Sequence, residues 1–491
     1  MAAVAFTVGA CSPGTAGHTE VRESTRASAT PTAAPVRPPA GVGAPDFTRV
    51  SELINDAVAA HELPGAVVVI GHGGKVVFHR AFGVRKLDGE PGPDGAPSPA
   101  EPMTEDTIFD LASLTKPLAT ATAVMQLYEQ GLVGVDDPVQ KHLPGFNAAN
   151  DPQRAEVTVR MLLTHFSGEP GDVELKDPWG LAKPDRRAGI RRALTTPLVS
   201  PPGAGYRYSD INFILLGALV EALTGVPEDV YVQQHVFAPL GMSETRYLPL
   251  DKACGPHVRR GAAVAWAPGA DAVACSGDAW NVDVVSRTAP TARDEEGRAD
   301  PGANPDLDHL LRGAVHDTTA RRMGGVAGHA GVFATAADVA VFAQGLLDRL
   351  AGRPSEFPLQ QATLAMMTSP QQPGHHAGQL EAANAATREA APNPTDPLLA
   401  PRYPAVRGQT LRGFGWDIDS FNSTPRGRIF PIGSFGHTGF TGTSVWIDPG
   451  SDTYAVLLSN SIHVRGSRPI QELRGEVATA AAQALDLYGG G

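Results

Sequence analysis

The stretch 109-FDLASLTKPLAT-120 places a serine and a lysine three residues apart in an apolar run, with a proline directly behind them. Proline is tolerated in the first helical turn and disruptive further in, so Pro117 fixes a helix start at about Ser113. The apolar spacing predicts that this helix runs on through Leu118, Ala121, Met125, Tyr128 and Leu132. Ser113 then sits at the helix N-terminus, where free N–H groups and the dipole favour developing negative charge. Lys116 falls on the same face. A serine hydroxyl is a weak nucleophile until a base takes its proton. A lysine amine can take it where an apolar setting lowers the amine pKa. A helix-capping serine beside an ordinary lysine would look the same. With seven lysines and 22 serines in 491 residues, roughly 0.3 Ser-x-x-Lys pairs arise by chance, so the rest of the chain must decide.

Two later segments do. In 206-YRYSDINFILLG-217, Tyr208 and Asp210 precede a buried helical run, and a tyrosine beside a lysine cation can shuttle the serine's proton. In 435-FGHTGFTGTSVWIDP-449, His437, Thr438 and Gly439 begin a C-terminal hairpin. Such a strand can offer backbone N–H groups to an oxyanion, with the glycine allowing close substrate approach.

In this order the three segments resemble the serine penicillin-recognising family, which comprises penicillin-binding proteins, serine β-lactamases and their esterase relatives. The tyrosine form of the middle motif is most similar to the branch holding class C β-lactamases, D,D-carboxypeptidases and D-aminopeptidases. The resemblance covers about residues 47–487 and includes 159-VRMLLTHFSG-168 and residues 313–347. It implies an α+β fold: an antiparallel sheet flanked by the terminal helices, an inserted, mainly helical domain, and a cleft between them. It also implies that Ser113 is acylated, that Lys116 accepts its proton, and that Tyr208 is general base or relay. The strand motif would be His437, Thr438 and Gly439, and the oxyanion hole the N–H groups of Ser113 and Phe440. No metal and no organic cofactor is implied. Asp210 stands where the family usually has asparagine. An ionised aspartate only accepts hydrogen bonds; it could pair with Lys116 and hold it charged, with Asn212 as a substitute donor. His437 stands where lysine is common and offers a weaker, pH-dependent charge. Both departures point away from an efficient β-lactamase.

The flanking patterns agree with α+β. Residues 46–63 have helical periodicity, with Phe47, Val50, Leu53, Ile54 and Val58 on one face. Two strands follow around His72-Gly73-Gly74, a second hairpin turns at Asp448-Pro449-Gly450, and a helix spans roughly 470–485. The net charge of −12 argues against nucleic-acid binding. No run of 18 apolar residues is present. Residues 1–11 end in Val8-Gly9-Ala10-Cys11, which resembles a bacterial lipoprotein cleavage box, and 12–46 read as a Ser/Thr/Ala/Pro-rich tether. The expectation is an exported protein held at the cell envelope through a lipid on Cys11, or released. Cys254 and Cys275 are then left either to form a disulfide, as suits an oxidising compartment, or to stay as free thiols. Residues 369–405 read as a flexible surface insertion in which His375 and His376 are merely solvated.

Of the other polar residues, His165 is expected to order a turn. His316, Asp317 and His329 are too irregularly spaced for a metal and belong to a loop beside the cleft. Thr335 and Asp338 form a capping box. The charged run 287–298 lies on solvent, with Arg287 at the cleft mouth. The sequence therefore reads as a serine hydrolase whose substrate is a small molecule or peptide (a cell-wall peptide, an ester or a β-lactam), with D,D-carboxypeptidase action leading. An esterase or weak β-lactamase is the alternative. A non-catalytic binding domain, supported by Asp210, is the reading from a different class.

Overall fold

The computed structural model describes residues 44–92, 95–391, 398–399 and 402–489. The cleavage-box segment with Cys11 and most of the tether lie outside the described residues. Strands β1 (Gly65–His72), β2 (Lys75–Lys86), β3 (Glu101–Pro102), β4 (Leu411–Arg412), β5 (Asp417–Asp419), β6 (Phe435–Thr438), β7 (Ser444–Asp448) and β8 (Thr453–Ser459) form one antiparallel sheet. Their order is β4-β5-β6-β7-β8-β1-β2-β3. The two ends of the chain thus meet at the centre of the sheet, with Val67 opposite Leu458 and Val69 opposite Val456.

β1 is an almost unbroken apolar run because both faces of the sheet are covered. Ala66, Val68 and Ile70 pack under two helices, touching the cluster of Val50 and Ile54 from Thr48–Ala59 and Leu473 and Val477 from Gln471–Ala484. Val67 and Val69, one residue out of phase, enter the main core with Phe109, Leu118 and Phe213. Asp46 starts the N-terminal helix by accepting the Thr48 N–H at 2.9 Å.

Between β3 and β4 the chain is mainly helical, but three small sheets are built into it among the described residues, the smallest pairing Ala292–Arg293 with Leu310–Leu311. One joins Ile108–Asp110, Val332–Thr335 and Arg246–Tyr247. Another is centred on Ala253–Arg260 and is clasped by the Cys254–Cys275 disulfide, with Cα atoms 5.0 Å apart. Apart from Ala253–Arg260, their strands have two to four residues and carry too little periodicity to be legible in advance.

Several sequence expectations need correction. The helix of the opening motif stops at Glu129 rather than Leu132: Gly131 turns the chain at φ +71°, and Leu132 is 44% exposed. It is also not uniform, since Ala112–Leu114 is a 3₁₀ turn and Lys116–Ala121 a π-helix. The stretch 369–405 contains a packed helix, Gln379–Glu389, with Ala383 and Thr387 buried and Asn384 bonded to both backbone groups of Ile432. Its inward residues are small, so its apolar period is weak. In 287–298, Asp294 is buried with Arg321 at 2.7 Å, and Glu296 pairs with Arg322 at 3.0 Å. Arg287 holds Glu244 and Asp106 and is not part of the cleft lining. Thr335 caps its helix as expected, but the Asp338 carboxylate turns instead to Glu244 and Thr245.

The disulfide closes a 21-residue separation, for which chain entropy predicts a contribution of about 3 kcal/mol. Cys275→Ser should lower the unfolding free energy by roughly 2–4 kcal/mol in urea titration, and reductant should destabilise the wild type by a similar amount. Two freely alkylated thiols in the native, unreduced chain would show that the bond is not made.

Candidate active site

The turn that presents Ser113 is strained and stitched from both sides. Ala112, the preceding residue, is at φ +48°, a region that residues with a Cβ rarely occupy. The Asp110 carboxylate holds it there, accepting the N–H groups of Ala112 at 3.0 Å and His316 at 2.8 Å. Burial pushes the Asp110 carboxyl up to about 6, against those two bonds. From the sheet side, Thr441 donates to the Asp110 carbonyl at 2.7 Å and Thr443 to the Leu111 carbonyl at 3.0 Å. A Cβ on Gly439 would lie 2.1 Å from the Thr443 hydroxyl and 2.4 Å from the Leu111 carbonyl oxygen. The glycine therefore permits close approach of the strand to the serine turn, and it also lines the cleft.

Lys116 is fully buried one turn further on. Its Nζ donates to Ser113 Oγ at 3.0 Å and to the His329 carbonyl at 3.1 Å, and is ion-paired with Asp210 at 2.6 Å. It lies 4.9 Å from the centre of the Tyr208 ring. Burial alone would lower the ammonium pKa, but Asp210 and then Tyr208 outweigh it, so Lys116 is held charged above its usual range. Tyr208 interacts with the side chains of both Ser113 and Lys116. Loss of water raises its phenol, with Lys116 opposing.

His165 does more than end the helix Val159–Thr164, which it does at φ +63°. Its ring is buried and stacks on Tyr208 at 4.4 Å, and its Nδ1 accepts the Ser209 N–H at 3.1 Å. Burial, then Arg412 and Lys116, keep this imidazole neutral. Asn212 is not a substitute donor to the cleft. Its amide is used inside the fold, against His165 at 3.3 Å and Ser167 at 2.6 Å, because two residues along a helix is a different face.

His437 is also neutral. It is buried, its Nδ1 faces the Thr438 carbonyl at 2.8 Å, and burial, Arg412 and Lys116 drive its pKa well below 6.5. The weak charge expected from the sequence is therefore absent at neutral pH. Gly439 N–H is taken by Thr443, whereas the N–H of Phe440 has no backbone acceptor among the described residues and lines the same cleft as Ser113.

That cleft, of about 500 Å³, is bounded by Ser113, Tyr208, His437 and Thr438 and walled by Phe421 and Phe440. Three arginines also reach it: Arg412, Arg468 and Arg474. Arg474, on the first turn of Gln471–Ala484, is buried, bonds the Gly439 carbonyl at 2.8 Å and has no carboxylate partner among the described residues. Burial brings its pKa down to about 10. Sequence reasoning missed these arginines, since one Arg among 33 on an apparently amphipathic helix carries no signal.

The His316–His329 loop supports the site from behind. His316 stacks on Phe440 at 5.8 Å, and His329 contacts Asp317 at 2.8 Å. Burial would raise the Asp317 carboxyl, but His329 holds it well below the usual range. Among the described residues no group of three or more His, Cys, Asp or Glu is arranged to hold a metal.

Ser113, Lys116 and Tyr208 thus meet beside an edge with a free N–H, an arrangement suited to acyl transfer. Comparison with known proteins agrees in fold and chemistry. A family model described as Beta-lactamase matches residues 50–478. The chain is 30% identical over 423 residues to the N-acetylmuramyl-L-alanine amidase of Bacillus subtilis strain 168, covering 84% of this chain and 81% of that protein. It is 28% identical over 412 residues to an Escherichia coli K12 protein provisionally named a D-alanyl-D-alanine carboxypeptidase, covering 82% and 79%. The unliganded selenomethionyl simvastatin synthase (LovD) of Aspergillus terreus superposes with a TM-score of 0.57 at 24% identity, covering 90% and 98%. With the match spanning most of its length, the chain belongs to the beta-lactamase family of serine hydrolases.

Proposed function

We infer that this protein is an exported serine amidase of cell-wall peptides, acting through an acyl-enzyme on Ser113. The observation that carries the reading is the 3.0 Å contact of Lys116 Nζ with Ser113 Oγ at a strained, cleft-facing turn. Ser113 Oγ attacks the amide carbonyl while its proton passes to Lys116 in the uncharged form. The N–H groups of Ser113 and Phe440 receive the oxyanion. Tyr208, in contact with both side chains, relays the proton to the departing amine, and water then releases the acyl group by the reverse path.

D,D-carboxypeptidase action is the form that the sequence puts first. The names of the two relatives narrow the bond in a shared way. D-alanyl-D-alanine and N-acetylmuramyl-L-alanine are both amides of alanine nitrogen, and both acyl sides are propanoyl groups carrying a heteroatom on the α-carbon. The muramyl form is the second reading, favoured by the 30% identity. Arg474, a buried cation without a carboxylate partner among the described residues, suits the carboxylate of the departing alanine. The neutral His437 weighs against efficient β-lactam turnover. The cystine and the N-terminal segment support export.

Three outcomes test this. Ser113→Ala should lower amide and p-nitrophenyl ester turnover by on the order of 10³-fold or more and abolish any covalent adduct seen by intact-mass spectrometry; turnover that survives the substitution ends the acyl-enzyme reading. Because Lys116 must be neutral to accept a proton, the rate should rise with pH through its raised pKa. Asp210→Asn removes the charge that raises it, so the pH–rate profile should move to lower pH by one unit or more, with faster acylation at pH 7. A variant slower at every pH would mean that Asp210 itself takes the proton. Arg474→Gln should lower kcat/KM for a peptide ending in a free carboxylate about 10–100-fold more than for its amide; equal losses would remove Arg474 from recognition.

A further inference from the structure

Among the described residues, the two most exposed phenylalanines border the same cleft. Phe421 is 60% and Phe440 74% exposed, and both line the space in front of Ser113. Neither ring is loose. Phe421 leans against Tyr206 with centroids 5.8 Å apart at 65°, and Phe440 stacks on His316 at 5.8 Å and 20°. The two rings therefore present fixed apolar faces from different walls, one on the Tyr206 side and one on the His316 side. Phenylalanine is ordinarily interior, and apolar surface concentrated at a concave site marks ligand contact.

The rest of the wall limits what the ligand can be. Asn422, Ser467 and Gln471 line the same cleft as the two rings, and the Asn422 amide already reaches the Tyr206 hydroxyl at 3.3 Å. An alkyl chain laid here would leave these polar groups without partners. A flat aromatic group would fit the rings but bring nothing for the rim to bond. A pyranose ring satisfies both demands: its faces are C–H groups, which the negative face of an aromatic ring attracts, and its edge carries hydroxyl and acetamido groups.

We propose that Phe421 and Phe440 are specificity walls for a sugar ring carried on the acyl group, so that the bond cleaved is the sugar-proximal amide of an N-acetylmuramyl-L-alanine unit. This rests on the acyl-enzyme reading above and chooses between its two acyl groups, since only the muramyl one carries a pyranose on the α-oxygen.

The test compares wild type, Phe421→Ala and Phe421→Tyr on N-acetylmuramyl-L-alanine, N-acetyl-D-alanyl-D-alanine, p-nitrophenyl acetate and p-nitrophenyl octanoate. Wild type should prefer the muramyl substrate over the D,D-dipeptide in kcat/KM. Phe421→Ala should lose about ten-fold more on the muramyl substrate than on the acetate ester, mainly through KM, and Phe421→Tyr should restore most of it. The proposal is overturned by equal losses on all substrates, by preference for the D,D-dipeptide, or by a selective loss on the octanoate, which would make the walls a site for an apolar chain. If no substrate turns over through Ser113, the acyl-enzyme reading fails and takes this inference with it; if Ser113-dependent turnover persists without the selective loss, only the sugar walls fail.

Discussion

Two threonine hydroxyls join the halves of the site. Thr441 and Thr443, in the loop between β6 and β7, donate to the carbonyls of Asp110 and Leu111, the residues that lead into the serine turn. All four groups are buried, so an unmade bond would leave a carbonyl without water, at a cost of roughly 1–3 kcal/mol each. Gly439 lets the strand come close enough for these bonds to form. Through them the sheet, built from N- and C-terminal strands, positions Ser113, which belongs to the helical middle. The φ of +48° at Ala112 persists because Asp110 on one side and the threonines on the other over-determine it.

The electrostatics of the cleft run against those of the chain as a whole. The formal net charge is −12, yet the cleft receives Arg412, Arg468 and Arg474, with Asp417 beside Arg412 at 3.5 Å. Lys116 and Asp210 cancel each other locally. His165 and His437 stay neutral, because burial and the nearby cations disfavour their protonation. What remains is a positive site in an acidic protein, a distribution that draws anionic substrates inward and is weakened by salt.

Much of this was legible in the sequence. Pro117 behind Lys116 located a helix start, and Ser113, Tyr208 and His437 could be named as a group, because each lies in a short segment whose residue types and order are constrained by one task. The alternation of β1 was hidden by burial on both faces, but its β-branched run was not. What failed did so for identifiable reasons. Asn212 was offered to the cleft on proximity in sequence, although two helical positions rotate a side chain away. His165 was seen as a turn former, since nothing in a linear reading shows that it lies under Tyr208. Arg412 and Arg474 come from a β4 edge and a C-terminal helix and converge only in three dimensions. The helix Gln379–Glu389 buries alanine and threonine, which leave no apolar stripe to find.

The two departures from the family pattern are physically one change. A lysine in the strand motif would place a positive charge near Lys116 and make its ammonium less favourable; His437, neutral and buried, removes that pressure. An asparagine at position 210 would leave Lys116 without a counter-ion; Asp210 supplies one at 2.6 Å. Both substitutions raise the pKa of the residue that must lose its proton before it can accept one from Ser113. Because both act on the same ammonium, their effects on the rate are coupled rather than additive. Reversing either one alone lowers that pKa only in part. Under the acyl-enzyme mechanism proposed above, such a cleft would keep its base protonated at neutral pH and rely on binding, through the arginines and the aromatic walls, to hold substrate long enough for the rare uncharged state to react.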